Sequence, residues 1–167
     1  GEFIEAGEYI EAGGDIEAGW SIKAGGYIKA GWSIDAGGYI KAGWSINAGG
    51  FIKAGRFIEA GGSIDAGGDI EAGWSIKAGG YIDAGGSIEA GEFIEAGEYI
   101  EAGGDIEAGN SYGISAGLSI TCKQTLTFGL KAFSGICTWR EISDKEKTIT
   151  CGKFNGGVVE YGILKET

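Results

Sequence analysis

The sequence has 167 residues, enough for one domain with a buried core. It carries 13 Lys and Arg against 24 Asp and Glu, a formal net charge of −11. Because contacts to phosphates need a surplus of Lys and Arg, this balance argues against direct binding to nucleic acid or to an anionic membrane. It favours a basic partner, although an acidic surface can also serve solubility alone.

Residues 1–108 consist of eighteen consecutive copies of one six-residue repeat, G-x-x-I-x-A. In an extended strand, Ile and Ala lie on one face, and the residue between them, at position 5, lies on the other. Gly at position 1 tolerates a positive φ or a tight corner, so we expect it to form a bend after each strand. Each copy therefore predicts a short strand and a bend, and stacked copies bury the Ile and Ala side chains.

The length of one coil follows from long identities within the repeat. Residues 1–18 recur unchanged at 91–108, and residues 13–30 recur at 67–84 with a single difference. Both offsets are multiples of 18, and neither is a multiple of 12. The sequence therefore predicts an all-β fold, a triangular β-solenoid with three copies per coil. Six coils at a strand spacing of about 4.8 Å make a rod roughly 29 Å long.

This pattern resembles the left-handed β-helices of hexapeptide-repeat proteins. Their small residue precedes the aliphatic one, whereas here Ala follows Ile, so the order leaves the handedness of the coil open. Many members of that group are acyltransferases that depend on a catalytic His. The sequence contains no His, and the resemblance therefore implies a fold and not that activity.

Position 5 differs among the three faces that this coil predicts. Face one, from copies 1, 4, 7 and onward, carries both signs of charge, whereas face three, from copies 3, 6, 9 and onward, is mainly acidic. Stacked like charges destabilise a sheet, so this acidic ridge is a candidate surface for a basic partner, with a solvated face as the alternative. The ridge comprises Asp15, Glu17, Asp35, Asp69, Glu71, Glu89, Asp105 and Glu107.

Positions 2 and 3 carry the aromatic residues of the repeat. Trp at position 2 always precedes Ser, whereas Gly at position 2 often precedes Tyr or Phe, which indicates limited space between rungs. We expect these rings to stack on one another along the rod. A platform for a sugar ring or a base is the alternative.

Residues 109–167 depart from the repeat and are expected to form a second, β-rich unit. Alternating residues at 119–122, 148–151 and 158–161 predict further strands. Such a segment suits a cap that prevents end-to-end stacking of exposed strand edges. Four apolar residues make it a candidate homodimer interface: Phe128, Leu130, Phe133 and Trp139.

The three cysteines, Cys122, Cys137 and Cys151, have neither the spacing of a zinc site nor that of a disulfide framework. We therefore expect reduced, mostly buried thiols in a cytoplasmic protein. No run of 18 apolar residues and no signal peptide is visible.

The whole chain resembles a group of small, uncharacterised phage and prophage proteins. They share the G-x-x-I-x-A repeat and an ISAGLSITC-type ending, and the match here extends through GISAGLSITCKQTLTFGLKAF. The resemblance implies a viral setting in a bacterial host and brings no catalytic residues.

We find no catalytic, cofactor-binding or metal-binding constellation and expect a protein that is not an enzyme. The leading hypothesis is an acidic inhibitor that imitates nucleic acid and occupies a basic host defence protein, of the anti-CRISPR or anti-restriction type. A structural module that oligomerises through residues 109–167 is one alternative. A protein that binds a ligand on its aromatic ladders is the other.

Overall fold

The computed structural model describes residues 1–167. It contains 24 β-strands and one 3-10 helix at Asp144–Lys147. The strands of the repeat are three or four residues long because each copy supplies only the I-x-A segment before the next bend. They are β1 (Phe3–Ala6), β2 (Ile10–Ala12), β3 (Ile16–Ala18), β4 (Ser21–Ala24), β5 (Ile28–Ala30), β6 (Ile34–Ala36), β7 (Ile40–Ala42), β8 (Ile46–Ala48), β9 (Ile52–Ala54), β10 (Ile58–Ala60), β11 (Ile64–Ala66), β12 (Ile70–Ala72), β13 (Ile76–Ala78), β14 (Ile82–Ala84), β15 (Ile88–Ala90), β16 (Ile94–Ala96), β17 (Ile100–Ala102) and β18 (Ile106–Ala108).

The strands after the repeat are more varied in length. They are β19 (Ile114–Ala116), β20 (Ile120–Cys122), β21 (Thr125–Ser134), β22 (Thr148–Cys151), β23 (Lys153–Tyr161) and β24 (Ile163–Glu166). The strands expected at 119–122, 148–151 and 158–161 are present within β20, β22 and β23. No helix of the chain is long and apolar enough to cross a membrane.

Each strand of the repeat pairs in parallel with the strand three places further along the chain. Ile4 lies opposite Ile22 and Ala6 opposite Ala24, an offset of 18 that recurs through the repeat. The predicted coil of three copies is therefore confirmed, and the chain is a parallel β-solenoid. Face one starts with β1, face two with β2 and face three with β3, and the residues at position 5 form a column on each face.

The core is two ladders of side chains that run through the inside of the coils. From Ile16 onward, every Ile and Ala of the repeat is buried, and together with residues of the later strands they form one cluster of 41 buried residues. Ile4 and Ile10 on the first coil are only half-buried. Burial of these ladders is the main term that favours the rod over the unfolded chain.

The Gly at position 1 forms the expected bend after each strand, but not through a positive φ. In the whole chain only Gly135 and Gly162 have a positive φ, so the corners of the repeat do not require it. Instead, a Cβ on Gly43 would approach the carbonyl oxygen of Gly25, one coil earlier, to well under 3.0 Å. The same approach recurs at position 1 throughout the inner coils. Glycine is therefore needed because the corners of successive coils pack backbone against backbone.

Residues 109–167 continue the solenoid and do not form a separate fold. Two extra residues at the corner 109–113 change the offset, so that Ile94 pairs with Ile114. Strand β21 then crosses a corner, because its first part pairs with β18 on face three and its second part with β19 on face one. Strand β23 pairs along β21, while β22 and β24 extend face two to nine strands.

The last rung carries a charged residue at an inward position. Glu166 lies opposite Cys151, in the column that holds Ala in the repeat, and its carboxylate accepts a hydrogen bond from the backbone N–H of Phe154 at 3.3 Å. Another coil stacked on this rung would bury a carboxylate, which costs free energy. We therefore expect Glu166 to oppose end-to-end stacking.

An insertion at residues 135–147 interrupts the coil between β21 and β22. The N–H of Gly135 still donates to the carbonyl of Ala116 at 3.2 Å, as the N–H at position 1 does in the corners of the repeat, before the chain leaves the rod. Ser143 and Glu146 form a capping box at the start of the short helix, and Arg140 pairs with Glu146 at 2.5 Å. This insertion projects from the corner that joins faces one and two.

Candidate functional site

Every cation of the repeat is held by a partner from a nearby coil. Five lysines at position 5 each form an ion pair with a glutamate in the same column, at 2.7–3.2 Å. The pairs are Lys23–Glu5, Lys29–Glu11, Lys41–Glu59, Lys53–Glu71 and Lys77–Glu95. The remaining cation, Arg56, lies between two indole rings. The lysines thus neutralise one carboxylate each and leave the other acidic residues without a cation.

The unpaired carboxylates concentrate along the corner that joins faces two and three on coils four to six, residues 55–108. On face two, Asp65, Asp83 and Glu101 lie directly above one another, and none has an ion pair. On face three, Glu89 and Glu107 continue the column above Glu71. We call this surface the acidic edge. It comprises Glu71, which is paired with Lys53, and seven carboxylates that have no ion pair: Asp65, Asp69, Asp83, Glu89, Glu101, Asp105 and Glu107.

The electrostatics of the acidic edge are those of stacked like charges. Partial burial, followed by the neighbouring Glu101 and Asp65 carboxylates, raises the pKa of Asp83. Two acidic neighbours in one column disfavour the charged form of the residue between them. The carboxylates of this column therefore repel one another, and a bound cation would reduce that repulsion.

The residues of the predicted ridge lie on face three, and three of them have a backbone partner. Asp15 accepts a hydrogen bond from the N–H of Ser33 at 2.9 Å, and Asp69 accepts one from Ser87 at 2.7 Å. Asp105 accepts one from the N–H of Thr125 at 2.6 Å. These residues at position 3 link successive coils, as serines at the same position also do.

The other members of the ridge differ in their access to a partner. Both carboxylate oxygens of Glu71 bind the ammonium group of Lys53 at 2.9 Å, and Asp35 lies directly below that lysine. Glu17, Glu89 and Glu107 have no ion pair. Glu17 lies on the first coil, more than two coils from the acidic edge.

Sequence reasoning placed the acidic surface on face three alone and missed the column on face two. The signal was available, because Asp65, Asp83 and Glu101 recur at the same offset of 18 residues. The lower part of that column holds Glu11, Lys29 and Asn47. Because these residues give face two a mixed charge when all six coils are considered together, the acidic part of the column was overlooked.

The aromatic residues stack as expected at three places. The pairs Tyr9–Tyr27, Tyr39–Phe57 and Tyr81–Tyr99 have parallel rings with centroids 4.9–5.2 Å apart. Each pair connects two successive coils at position 3 and stabilises the rod from outside. Two indoles take no part in such a stack: Trp32 is 67% exposed and Trp44 is 69% exposed.

The predicted dimer interface is corrected at one residue. Phe128 is 2% exposed and packs in the core, edge to face with Phe154, so it is not available to a partner. Leu130 and Trp139 are 57% and 61% exposed, and Phe133 is half-buried. They belong to a wider apolar surface on the later coils of face one and on the insertion, and its other members are Ile136, Val158 and Tyr161.

The cysteines are free thiols. Cys122 and Cys151 are buried at inward positions on adjacent strands of face two, and burial raises the pKa of Cys122 to about 12. Burial, with a smaller effect of the Glu166 carboxylate, also raises the pKa of Cys151. Both thiols are therefore protonated core residues at neutral pH. No group of three or more Cys, Asp or Glu is arranged to hold a metal ion.

One family model matches the chain. It is described as the haemagglutinin repeat, and it matches residues 4–88 and again residues 70–128. Together the two matches cover about three quarters of the sequence and extend from the repeat into β21. No curated protein and no solved structure matches the chain.

Proposed function

Because this chain belongs to the haemagglutinin repeat family and is built as a rigid β-solenoid, we propose that it is a non-catalytic protein-binding rod. Its partner in this proposal is a basic host protein. More specifically, the chain occupies the nucleic-acid groove of a defence factor, such as a CRISPR complex or a restriction protein. In this proposal the chain is phage-encoded and acts in the bacterial cytoplasm. The chain itself neither binds nucleic acid nor carries out a reaction.

The observation that carries the proposal is the surplus of unpaired carboxylates on the acidic edge. All five lysines of the repeat are neutralised within their own columns. The field around coils four to six is therefore negative at short range, where a partner's lysines and arginines would lie. Cations of a partner would relieve the repulsion within the column of Asp65, Asp83 and Glu101.

The geometry also supports imitation of a nucleic-acid backbone. Rungs about 4.8 Å apart hold the carboxylates in two regular columns on either side of one corner. Because the columns belong to a hydrogen-bonded solenoid, their positions are fixed before binding, which lowers the ordering cost of association. A flexible acidic tail would have the same charge without this advantage.

The proposal is tested by the plating efficiency of a phage on bacteria that defend themselves with one known CRISPR or restriction system at a time. Expression of the chain should raise plating at least tenfold in one strain of the panel and leave undefended cells unaffected. The triple variant Asp83→Lys, Glu89→Lys, Glu107→Lys should lose this effect. If no defended strain responds to the wild-type chain, the proposal is wrong.

A matched control separates charge at this surface from charge in general. Exchange of Lys41 and Glu59 keeps an ion pair on face one and leaves the net charge unchanged. This variant should protect the phage as well as the wild-type chain does. Loss of protection in both variants would point to damage of the fold, which unfolding in urea checks independently.

A second candidate function is favoured by the apolar surface on face one. Leu130, Val158 and Tyr161 are about half exposed on the last rungs, and Trp139 extends the surface onto the insertion. Exposed apolar groups at this density are typical of a contact surface, and a second copy of the chain would make the protein an assembly module. Light scattering of the wild type and of Leu130→Asp tests it, since a dimer should become a monomer.

A further inference from the structure

A groove opens at the corner that joins faces one and two, on the first three coils. Its volume is about 320 Å³, and its floor is the backbone of Gly7, Gly25 and Gly26, which carry no side chains to fill it. It lies on a different corner from the acidic edge and near the other end of the repeat. It therefore represents a separate surface.

Aromatic rings form the walls of this groove. Tyr9 and Tyr27 stack with centroids 5.2 Å apart, and Trp44 stands one coil above Gly26 with 69% of its surface exposed. The phenol of Tyr27 donates to the carboxylate of Glu11 at 3.2 Å, which fixes the ring. The stack and the indole thus present π surfaces over an open glycine floor.

A carboxylate without an ion pair completes the groove. Glu8, Gly26 and Trp44 are the position 2 residues of three successive coils. Glu8 lies one coil below Gly26, and Trp44 lies one coil above Gly26. On these three coils, the position 5 column of face two contains one cation, Lys29, which already pairs with Glu11 at 3.2 Å. The groove therefore combines aromatic walls with uncompensated negative charge.

The rod itself shows which group such an arrangement accepts. On the corner between faces three and one, the guanidinium of Arg56 lies 5.0 Å from the ring centre of Trp20 and 5.3 Å from that of Trp74. Gly38 lies between Trp20 and Arg56 in that column and leaves space for the guanidinium. Trp44 also has a glycine next to it in its column, Gly26, but no cation in that column.

We propose that the groove receives the guanidinium group of an arginine side chain from a partner peptide or protein. The plane of the guanidinium stacks on Trp44 beside the tyrosine pair, and its N–H groups donate to the carboxylate of Glu8. Attraction between a cation and an aromatic face strengthens as both lose water, and the carboxylate adds a charge-assisted hydrogen bond. A neutral ring, such as a sugar, would gain the stacking without the charge.

The test uses the peptide acetyl-Gly-Arg-Gly-Arg-Gly-amide and the same peptide with citrulline in place of arginine. The indole N–H signals of the five tryptophans in the 15N-labelled intact chain report binding residue by residue. The arginine peptide should shift the Trp44 signal in a saturable manner. The citrulline peptide, which keeps the shape without the charge, should bind at least tenfold more weakly.

Trp32 is the matched control, because it is as exposed as Trp44 and also precedes Ser, but it has no stacked tyrosines beside it. Glu8→Gln should weaken binding of the arginine peptide at least threefold, while Trp32→Ala should leave it unchanged. Equal binding of both peptides, or parallel shifts of Trp32 and Trp44 with one midpoint, would overturn the inference. The inference does not rest on the proposed function, since the plating assay and this titration involve different surfaces and can fail separately.

Discussion

Residues 1–108 and residues 109–167 build the same three-faced coil from very different sequences. In the repeat, each rung has the same Ile and Ala, and from the second coil onward each corner glycine packs against the glycine one coil below. In the later segment, Leu126 and Phe128 take over the inward positions, and β21 runs through a corner without a bend. Stacking on an existing rung thus imposes the coil on a segment that lacks the repeat.

The two regions also differ in how many of their carboxylates are paired. In residues 1–108 five of nineteen carboxylates have an ion pair, whereas in residues 109–167 three of five do: Glu160, Glu146 and Asp144. Local pairing stabilises a surface modestly, and stacked like charges destabilise it. A surface that is kept at a cost in stability is the one where binding is expected.

The largest contrast between the regions is expected in their cores. Ile64→Ala, in the middle of the repeat, should lower the free energy of unfolding by about 4 kcal/mol, because it removes a fully buried side chain between two filled rungs. Leu164→Ala, on the last rung, should cost about 1 kcal/mol, because Leu164 is only half-buried. Urea unfolding followed by tryptophan fluorescence measures both. Equal losses would mean that the last rung is as tightly packed as the centre.

The glycine corners should show a smaller contrast within the repeat itself. Gly43→Ala should destabilise the rod by about 2 kcal/mol, because its new methyl group meets the backbone of the coil below. Gly7→Ala on the first coil has nothing within 4 Å and should change stability by less than about 0.5 kcal/mol. The comparison uses the same unfolding assay. Similar losses at both positions would support a φ requirement in place of the packing described above.

Much of the repeat was predictable because its contacts repeat with the sequence. The coil length, the faces and the inward Ile and Ala follow from the period of 18 residues and the alternation of a strand. The bonds of Asp15, Asp69 and Asp105 to the next coil did not follow, because they depend on the separation between rungs. The corner crossed by β21 was also hidden, since no local residue marks where a strand passes from one face to another.

The smallest expected contrast is in the response to pH. The pKa of Asp83 is raised above its ordinary value of 3.8 by burial and by Glu101 and Asp65, so the folded rod binds this proton more readily than the unfolded chain. Stability of the repeat should therefore rise as pH falls from 7 through that raised pKa. Asp83→Asn should add about 0.5 kcal/mol at pH 7 and remove part of this rise, as measured by urea unfolding at several pH values.

Glu146 on the insertion should respond in the opposite direction. Hydrogen bonds from Arg140 and Ser143 lower its pKa from 4.5 to about 2, so its contribution is present above pH 4.5 and is lost as pH falls towards 2. Hydrogen exchange of residues 135–147 should accelerate over that interval, relative to the repeat, in the wild type. In Glu146→Gln the insertion should already exchange fast at pH 7. A pH response of the same sign in both regions would contradict the contrast.

The most direct test of the acidic edge as a binding surface is displacement of a fluorescent DNA duplex from the defence protein that the plating assay identifies. The wild-type chain should displace the duplex, and its apparent affinity should fall at least tenfold between about 50 and 200 mM salt, because charge drives the contact. The triple variant Asp83→Lys, Glu89→Lys, Glu107→Lys should not displace it. Displacement that is insensitive to salt, or that survives in this variant, would contradict the account.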